Sequence, residues 1–379
     1  MELDELRSQI NGIDEELIDL FRRRMDVAAG IAEYKKEHHL PVYDPARERD
    51  VLARVSALAG EDMEGYARVL FSTLFDLSRA YQNGKSDHSC ELTDRIAAAL
   101  SSTPQLFPQR AVVACQGVEG AYSQLACCKM FDAPSIMYCK SFEGVFQAVQ
   151  SGLCRFGLLP IENSSYGSVG AVYDLMRNYN FSIVRAMKLH VDHCLLAKHG
   201  TTLEDVRVIY SHEQAIGQCS EFLAKLPNAK VVACTNTAEA ARMASESTET
   251  GVAAIASHTC AALYELSTLA EHIQNRENNY TRFICITREL EIYPGANKMS
   301  LMFSLPHTPG SLYRTIARFA ALGLNITKLE SRPIPGRDFE FMFYVDVDAS
   351  ALSPDVMQLL GEMAQSGETF TFLGNYAEV

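Results

Sequence analysis

An apolar stripe near the start of the chain is interrupted by an arginine. Apolar residues recur at helical three- and four-residue spacing, at Leu3, Leu6, Ile10, Ile13, Leu17, Leu20, Val27 and Ile31. Arg24 stands where the next apolar residue of this stripe is expected. Because an unpaired guanidinium is costly to bury, Arg24 is expected either to form a salt bridge with a facing helix or to bind an anionic ligand.

The length of this helix predicts an oligomer. A helix over residues 1–36 would be about 54 Å long, which exceeds the diameter of a small domain. The same chain cannot cover such a stripe, so we expect a second copy to cover it, in a dimer or a tetramer. Lys35 lies about 16 Å from Arg24 on nearly the same helical face. Arg7 is too distant in the same chain, but the Arg7 of an antiparallel partner would approach Arg24, so the predicted anion site is shared between subunits.

Two further helices complete an all-α segment. Asp44-Pro45 is typical of a helix start, with Asp44 as the N-cap and Pro45 in the first turn. A third helix is predicted over residues 63–82, with Ser78 and Gln82 one turn apart on its inner edge.

The first 88 residues resemble the all-helical chorismate mutases in the order and spacing of Leu6-Arg7, Ile13-Asp14, Arg24, Lys35, Pro41-Val42, Asp44, Arg47-Glu48, Ser78 and Gln82. The resemblance implies that the partner's Arg7, Arg24 and Arg47 hold the two substrate carboxylates. It places Lys35 and Gln82 at the ether oxygen. It implies that Asp44, Glu48 and Ser78 contact the substrate hydroxyl or orient the cations. A Claisen rearrangement moves no proton, so the site needs only to fix a compact conformer and to stabilise charge on the breaking C–O bond.

Composition excludes several classes of protein. The chain has 379 residues, enough for two or three domains, and its formal net charge of -13 disfavours nucleic-acid binding. We see neither a leader segment nor a stretch long and apolar enough to span a membrane, so a cytoplasmic enzyme is expected. The 11 cysteines are odd in number, begin at Cys90 and have no Cys-x-x-Cys spacing. Reduced, mostly buried thiols are expected rather than disulfides or zinc ligands, and no metal or other cofactor is predicted.

A change of pattern predicts an α/β domain after a linker. Residues 89–109 are polar apart from a short helix near residues 96–100, and from residue 110 short apolar strands alternate with helical stretches. Residues 110–290 are long enough for two lobes with a ligand site between them. Polar motifs follow several of the strands: Gly117-Val118-Glu119-Gly120-Ala121-Tyr122-Ser123, Pro160-Ile161-Glu162-Asn163-Ser164, Ser211-His212 and Thr281-Arg282-Phe283.

These motifs, in this order, resemble prephenate dehydratase. The resemblance implies that Thr281 is the catalytic group at the departing ring hydroxyl, with Arg282 at a substrate carboxylate and His212 as the alternative acid. The other residues it places at the substrate are Tyr122, Ser123, Glu162, Asn163, Ser164, Ser211 and Phe283. The sequence departs from the family at Asn275, where an aspartate is expected.

Residues 298–379 are predicted to form an α+β unit of ferredoxin-like β-α-β-β-α-β order. Three motifs stand out in it: His307-Thr308-Pro309-Gly310-Ser311-Leu312, Gly323-Leu324-Asn325-Ile326-Thr327 and Glu330-Ser331-Arg332-Pro333. They resemble an ACT domain of the phenylalanine-binding type, although turns of this kind also occur merely to close a fold. The resemblance implies an L-phenylalanine site where two such domains meet, with Pro309, Gly310, Ser311, Leu312, Leu324, Asn325, Glu330, Ser331 and Arg332. Deleting residues 298–379 is expected to preserve catalysis and to abolish sensitivity to phenylalanine.

Together the resemblances cover nearly the whole chain, in the domain order of the bifunctional chorismate mutase/prephenate dehydratases. They imply an isomerase and a lyase that convert chorismate to prephenate and then to phenylpyruvate in phenylalanine biosynthesis, with feedback inhibition by L-phenylalanine. Three alternatives remain: a dehydratase that also acts on arogenate, a mutase fused to a prephenate dehydrogenase, and an amino-acid sensor built on the two-lobed domain.

Overall fold

The computed structural model describes residues 3–38, 44–84, 90–337, 339–365 and 369–379. The chain divides into two compact units. The first comprises Met1–Asp94, Pro306–Gly323 and Pro354–Glu368, and the second Arg95–Leu305, Leu324–Ser353 and Thr369–Val379. The terminal segment is thus divided, since its helices belong to the first unit and its strands to the second. The boundaries 1–88, 89–109, 110–290 and 298–379 stay predictions.

The described helices are α1 Leu3–Glu37, α2 Pro45–Ala59, α3 Glu64–Gly84, α4 Glu91–Ser102, α5 Tyr122–Met130, α6 Phe142–Gln150, α7 Gly170–Met176, α8 Glu213–Gln218, α9 Ser220–Leu223, α10 Thr237–Glu246, α11 Thr259–Leu263, α12 Ser311–Ala321 and α13 Pro354–Ala364. A short 3-10 helix covers Leu203–Asp205. Among these helices, none combines the length and the apolar character that crossing a bilayer requires.

The described strands are β1 Val112–Gln116, β2 Ser135–Cys139, β3 Phe156–Asn163, β4 Gly167–Ser168, β5 Ser182–His190, β6 Cys194–Ala197, β7 Val208–His212, β8 Lys230–Cys234, β9 Val252–Ala256, β10 Ser267–Ala270, β11 Tyr280–Thr287, β12 Lys298–Ser304, β13 Asn325–Pro333, β14 Phe341–Asp348 and β15 Phe370–Glu378.

In the first unit, α1 is the single long helix that the apolar spacing predicts. Its stripe stays largely exposed within one chain, with Leu17 53% and Val27 65% exposed. The predicted start of α2 is confirmed, because the side chain of Asp44 accepts a hydrogen bond from the backbone N–H of Arg47 at 3.0 Å. Pro41-Val42 lies outside the described residues.

The second unit contains two sheets. In the larger sheet the strand order is β13-β14-β12-β15-β5-β11-β3-β1-β2, and β4 pairs with β3 at its end. The smaller sheet has the order β10-β6-β9-β7-β8. The α/β plan is therefore confirmed, and each sheet has its own apolar core, built around Leu159 and Ile284 in the larger and Ala254 and Leu196 in the smaller.

The last four strands, β12 to β15, are called the terminal strands below. Their order β13-β14-β12-β15, with helices after the first and third strands in the chain, is the predicted ferredoxin-like topology. They continue the larger sheet, because β15 pairs in parallel with β5 through Ala377 opposite Arg185 and Glu378 opposite Ala186.

Candidate active sites

Arg24 lies among neutral groups in the helical unit. Its Nη1 donates to the carbonyl oxygen of Leu74 at 3.2 Å and to the hydroxyl of Ser78 in a closer contact, and its Cζ lies 5.7 Å from the ring centre of Phe75. Burial lowers the pKa of Arg24. Within the described part of the chain no carboxylate reaches this guanidinium. The salt-bridge alternative is therefore not what the structure contains, and the positive charge remains to be neutralised by an anion.

The other residues assigned to this site occupy the same three helices. Glu48 on α2 forms a close ion pair with Arg79, and Arg79 also pairs with Asp76. Arg7 is exposed on α1 and lies 3.4 Å from Asp4. The remaining residues with predicted roles are distributed between exposed positions, Asp44 and Arg47, and half-buried positions, Lys35 and Gln82. Their contacts with substrate stay predictions.

In the larger sheet, Asn163 and Thr281 lie opposite each other on β3 and β11 and are hydrogen bonded. Asn163 Nδ2 donates to Thr281 Oγ1 at 3.1 Å. The contacts of the amide oxygen fix the orientation of the Asn163 side chain. Asn163 Oδ1 accepts from the backbone N–H groups of Ser165 at 2.9 Å and Tyr166 at 3.1 Å, so Nδ2 is the atom that faces Thr281. Thr281 Oγ1 therefore accepts a bond from Asn163, which leaves the hydroxyl hydrogen of Thr281 for another acceptor.

A buried polar network extends from this pair toward the smaller sheet. Asn163 Nδ2 also donates to Asn279 Oδ1 at 3.0 Å, and Asn279 Nδ2 donates to Gln218 Oε1 at 3.1 Å. His193 Nε2 lies 2.8 Å from the same Gln218 oxygen. Since Gln218 Oε1 can only accept, His193 must carry its proton on Nε2. Burial lowers the pKa of His193, which keeps the ring neutral.

The far end of this network is Tyr122, the tyrosine of the glycine-bearing turn. Its hydroxyl donates to the carbonyl oxygen of Asp192 and lies 3.2 Å from His193 Nδ1. Burial raises the pKa of Tyr122 well above its usual value, so the phenol stays protonated. Ser123 is buried in the first turn of α5. Sequence reasoning missed Gln218, His193 and the role of Asn279, although His193, which follows Asp192 directly before the apolar strand β6, was a usable signal.

His212 is the N-cap of α8. Its side chain accepts from the backbone N–H of Gln214 at 3.3 Å, and burial lowers its pKa. Both features favour the neutral ring, which weakens the case for His212 as a proton donor.

Two other predicted substrate contacts, Ser211 and Phe283, are structural, and Ser164 differs from them. Ser211 is fully buried, and its hydroxyl donates to the carbonyl oxygen of Ile255 at 2.9 Å, which ties β7 to β9. Phe283 is buried in the core of the larger sheet. The hydroxyl of Ser164 donates to the Asn278 carbonyl oxygen at 2.9 Å and accepts from the Tyr280 N–H at 2.9 Å. We correct the assignments of Ser211 and Phe283 because neither side chain is accessible, whereas Ser164 is exposed and its role stays a prediction.

Arg282 also differs from the expectation. Its guanidinium is buried and pairs closely with Asp346 of β14, while its Nε donates to Glu378 of β15 at 2.6 Å and its Nη2 to the Tyr376 hydroxyl at 3.0 Å. A guanidinium already compensated by two carboxylates is not available to a substrate carboxylate, so we correct this assignment. Glu162 similarly pairs with Lys328 of β13, with Nζ to Oε1 at 2.7 Å.

The predicted effector residues fall at several places. Gly310 precedes α12 with a φ of 81°, in the left-handed region that favours glycine. The other residues of this turn are Pro309, Ser311 and Leu312, and Leu324 and Asn325 lie at the start of β13.

Glu330 accepts from the hydroxyl of Ser168 at 2.7 Å. Arg332 forms two bonds to Asp174, at 3.0 and 2.7 Å. The charges of Glu330 and Arg332 are thus engaged with the dehydratase segment, which corrects their assignment as direct effector contacts, whereas Ser331 is exposed.

Comparisons with known proteins match both the helical and the α/β segments. Residues 6–83 match the model of chorismate mutase type II, and residues 113–291 match that of prephenate dehydratase. The bifunctional chorismate mutase/prephenate dehydratase of Escherichia coli (strain K12) is 31% identical over 381 residues, which cover 98% of this chain and 95% of the relative.

Two further relatives match the dehydratase segment. Arogenate dehydratase/prephenate dehydratase 2, chloroplastic, of Arabidopsis thaliana is 39% identical over 279 residues, which cover 70% of this chain and 73% of the relative. The crystal structure of prephenate dehydratase from Arthrobacter aurescens in complex with L-Phe is 30% identical, with a TM-score of 0.65, and covers 70% of this chain and 89% of that one. Both catalytic segments and their order along the chain agree, and this chain belongs to the bifunctional chorismate mutase/prephenate dehydratase family.

Proposed function

We propose that the chain converts chorismate to prephenate at the Arg24 site and prephenate to phenylpyruvate at the Asn163–Thr281 pair, as an enzyme of phenylalanine biosynthesis. The observation that carries the assignment of the second site is the bond from Asn163 Nδ2 to Thr281 Oγ1 at 3.1 Å. Because Thr281 Oγ1 accepts this bond, the hydroxyl hydrogen of Thr281 points away from Asn163 and can be donated to a ligand.

In the mutase reaction the ether C–O bond breaks while a C–C bond forms, and no proton is transferred. The charge of Arg24, fixed by Ser78 and Leu74, supports binding of a doubly negative substrate and stabilisation of its developing charge. The exposed apolar stripe of α1 supports the proposal that a second copy of the chain covers this helix and contributes its Arg7.

In the dehydratase reaction the ring carboxylate of prephenate leaves as CO2, and the electron pair from the broken C–C bond expels the ring hydroxyl. Thr281 donates its hydroxyl hydrogen to that departing oxygen, so that water leaves and the ring becomes aromatic. Asn163 donates to Thr281 Oγ1 and stabilises the negative charge that this oxygen acquires. Aromatisation supplies most of the driving force, which is consistent with so weak an acid.

Regulation by L-phenylalanine belongs to the same proposal. It is supported by the ferredoxin-like topology of the terminal strands, by the ACT-type motifs and by the L-Phe complex of the Arthrobacter relative. Activity on arogenate is the second candidate, favoured by the name of the Arabidopsis relative. Supplying arogenate in place of prephenate decides it.

The test supplies chorismate to the full chain and follows prephenate and phenylpyruvate, with and without L-phenylalanine. We expect Thr281→Ala to accumulate prephenate, with a loss of dehydratase kcat of about 10²-fold or more, because the general acid is removed. Thr281→Ser should retain activity. Thr287→Ala on the same strand is the matched control, because Thr287 only donates to the backbone of Arg155 at 3.0 Å. Full dehydratase activity in Thr281→Ala would overturn the assignment.

A further inference from the structure

Two neighbouring residue pairs on β3 and β11 face opposite sides of the larger sheet. Thr281 lies opposite Asn163, and Arg282 lies opposite Glu162. Because successive side chains of a strand alternate between faces, the Glu162/Arg282 pair points away from the Asn163–Thr281 pair. A register shift follows immediately, since Phe283 lies opposite Pro160, and such bulges commonly re-aim side chains near active sites.

A second pair, on the terminal strands, meets Glu162 and Arg282. Lys328 on β13 and Asp346 on β14 are themselves opposite each other. Lys328 Nζ lies 2.7 Å from Glu162 Oε1, and Arg282 pairs closely with Asp346. The pair on β3 and β11 thus meets the pair on β13 and β14, and each cation of one pair contacts the carboxylate of the other. We call Glu162, Arg282, Lys328 and Asp346 the charge quartet.

Burial makes the Arg282–Asp346 contact resistant to breakage. Arg282 and Asp346 are each 6% exposed, and separating a buried ion pair leaves an uncompensated charge, which is strongly unfavourable. Asp346 is also bonded to the hydroxyl of Ser300. The Glu162–Lys328 contact is half-buried and is supported by a second bond, from Lys328 Nζ to Ser168 at 2.8 Å. A shift of β14 therefore acts on Arg282, and a shift of β13 acts on Glu162.

We propose that the charge quartet couples the terminal strands to the dehydratase site, and that Glu162 and Arg282 are positioning residues rather than substrate contacts. Each is adjacent in sequence to a member of the Asn163–Thr281 pair, so a displacement of β13 or β14 alters the bond between Asn163 and Thr281. The inference rests on the proposed function, in which Thr281 donates the proton and L-phenylalanine acts through the terminal segment. Coupling of this kind needs a physical connection between the terminal strands and the dehydratase site, and the quartet supplies one.

The test uses the full-length Lys328→Met variant, which removes the terminal partner of Glu162. We expect the L-phenylalanine concentration for half-inhibition of the dehydratase to rise by about tenfold. Calorimetric binding of L-phenylalanine should stay within about threefold of the unaltered enzyme, and KM for prephenate within about twofold, because Lys328 belongs to neither proposed ligand site. Chorismate mutase activity on the same chain reports whether the variant folds, and Lys328→Arg, which keeps the charge, should restore inhibition.

Asp174→Asn is the matched control. Asp174 also pairs with β13, through Arg332, but it lies on α7 and is not adjacent to the Asn163–Thr281 pair. Inhibition of the Asp174→Asn variant by L-phenylalanine should match that of the unaltered enzyme.

Undiminished inhibition in Lys328→Met would overturn the coupling. A raised KM in Glu162→Gln, with inhibition intact, would show instead that Glu162 contacts substrate. If the unaltered enzyme is not inhibited by L-phenylalanine, the proposed regulation fails and the coupling fails with it. Retained dehydratase activity in Thr281→Ala refutes only the catalytic assignment.

Discussion

Two arginines show how differently the same side chain is used in this molecule. Arg24 is half-buried and bonds to a hydroxyl and a backbone carbonyl oxygen, and burial lowers its pKa. Burial also acts to lower the pKa of Arg282, but Tyr376, Asp346 and Glu378 more than offset it, and the pKa is raised. Arg282 is therefore already neutralised, whereas Arg24 meets no carboxylate among the described residues and its binding of an anionic ligand stays a prediction. Sequence reasoning assigned both to substrate carboxylates, because it cannot see which carboxylates the fold brings to each guanidinium.

This contrast makes a prediction for Arg24→Met. The mutase rate should fall by about 10²-fold or more, because a charge that stabilises the transition state is lost. The free energy of unfolding should be unchanged or higher, since Met fills the seam without a desolvation cost. Chorismate turnover and thermal unfolding measure the two effects. Arg22→Met, at an exposed position of the same helix, is the control and should leave turnover unchanged. A loss of about 3–5 kcal/mol of stability would identify Arg24 as half of a structural ion pair.

At the scale of the element, α1 carries an apolar stripe that the described residues of its own chain leave largely exposed. Its apolar positions recur along the whole helix, yet Leu3, Ile10, Leu17, Leu20 and Val27 are each more than half exposed. A patch of this length on one face of a helix is typical of an interface, and helix amphipathicity alone predicts which face it is.

We therefore predict that Leu17→Glu disrupts the oligomer and abolishes mutase activity while leaving dehydration of supplied prephenate intact. Burying an unpaired carboxylate in an apolar interface between helices is strongly unfavourable, whereas the same group is well solvated in water. Light scattering gives the mass, and separate assays with chorismate and prephenate give the two activities. Glu15→Gln, on the opposite face of α1, should change neither. An oligomer that survives Leu17→Glu with full mutase activity would refute the role of the stripe.

The strands show how far the sequence predicts the fold. The apolar runs at residues 230–234 and 252–256 predict two strands with the observed bounds of β8 and β9, because short apolar runs with turn residues on both sides have few alternatives. The apolar run Ile284-Cys285-Ile286 predicts a strand that starts later than β11, which begins at Tyr280, because Thr281 and Arg282 are polar. Periodicity also misses β5, where Arg185 and Lys188 interrupt the apolar run. Their charges are accommodated by distant groups: Arg185 lies 4.3 Å from the ring centre of Phe107, and Lys188 lies 3.3 Å from Glu378.

For the dehydratase site the sequence predicted the members of the Asn163–Thr281 pair but not their polar surroundings. Motif resemblance identifies residue types in order along the chain. The structure joins three of the residues so identified, Asn163, Thr281 and Tyr122, in one hydrogen-bonded network, and their roles at the substrate stay predictions. The resemblance could not separate side chains that face this network from those on the other face of the same strands, such as Glu162 and Arg282. That distinction depends on strand register, which pairing between distant segments determines.

At the scale of the whole molecule, the terminal strands and the dehydratase strands form one continuous sheet. β15 pairs with β5, and the guanidinium of Arg282 contacts both β14 and β15. The terminal segment, which is separate along the sequence, is thus joined to the dehydratase segment by backbone pairing and by buried charge. Local motifs carry no information about such pairing, and the sequence therefore predicted two separate domains.

Deletion of residues 298–379 tests this continuity. We expect the shortened chain to form phenylpyruvate without inhibition by L-phenylalanine, and to melt at a lower temperature, because β5 loses its neighbour and Arg282 loses Asp346 and Glu378.

The matched variant is Arg282→Met in both chains. In the full chain it removes the ion-pair partner of the buried Asp346 carboxylate, whereas Glu378 keeps Lys188 and Lys298, and it should cost about 3–5 kcal/mol of stability. In the shortened chain Arg282 is solvated and the same change should cost less than about 1 kcal/mol. Denaturant unfolding of the four proteins gives the comparison. An equal cost in both chains would mean that the terminal carboxylates contribute nothing to holding Arg282, and a shortened chain still inhibited by L-phenylalanine would place the effector elsewhere.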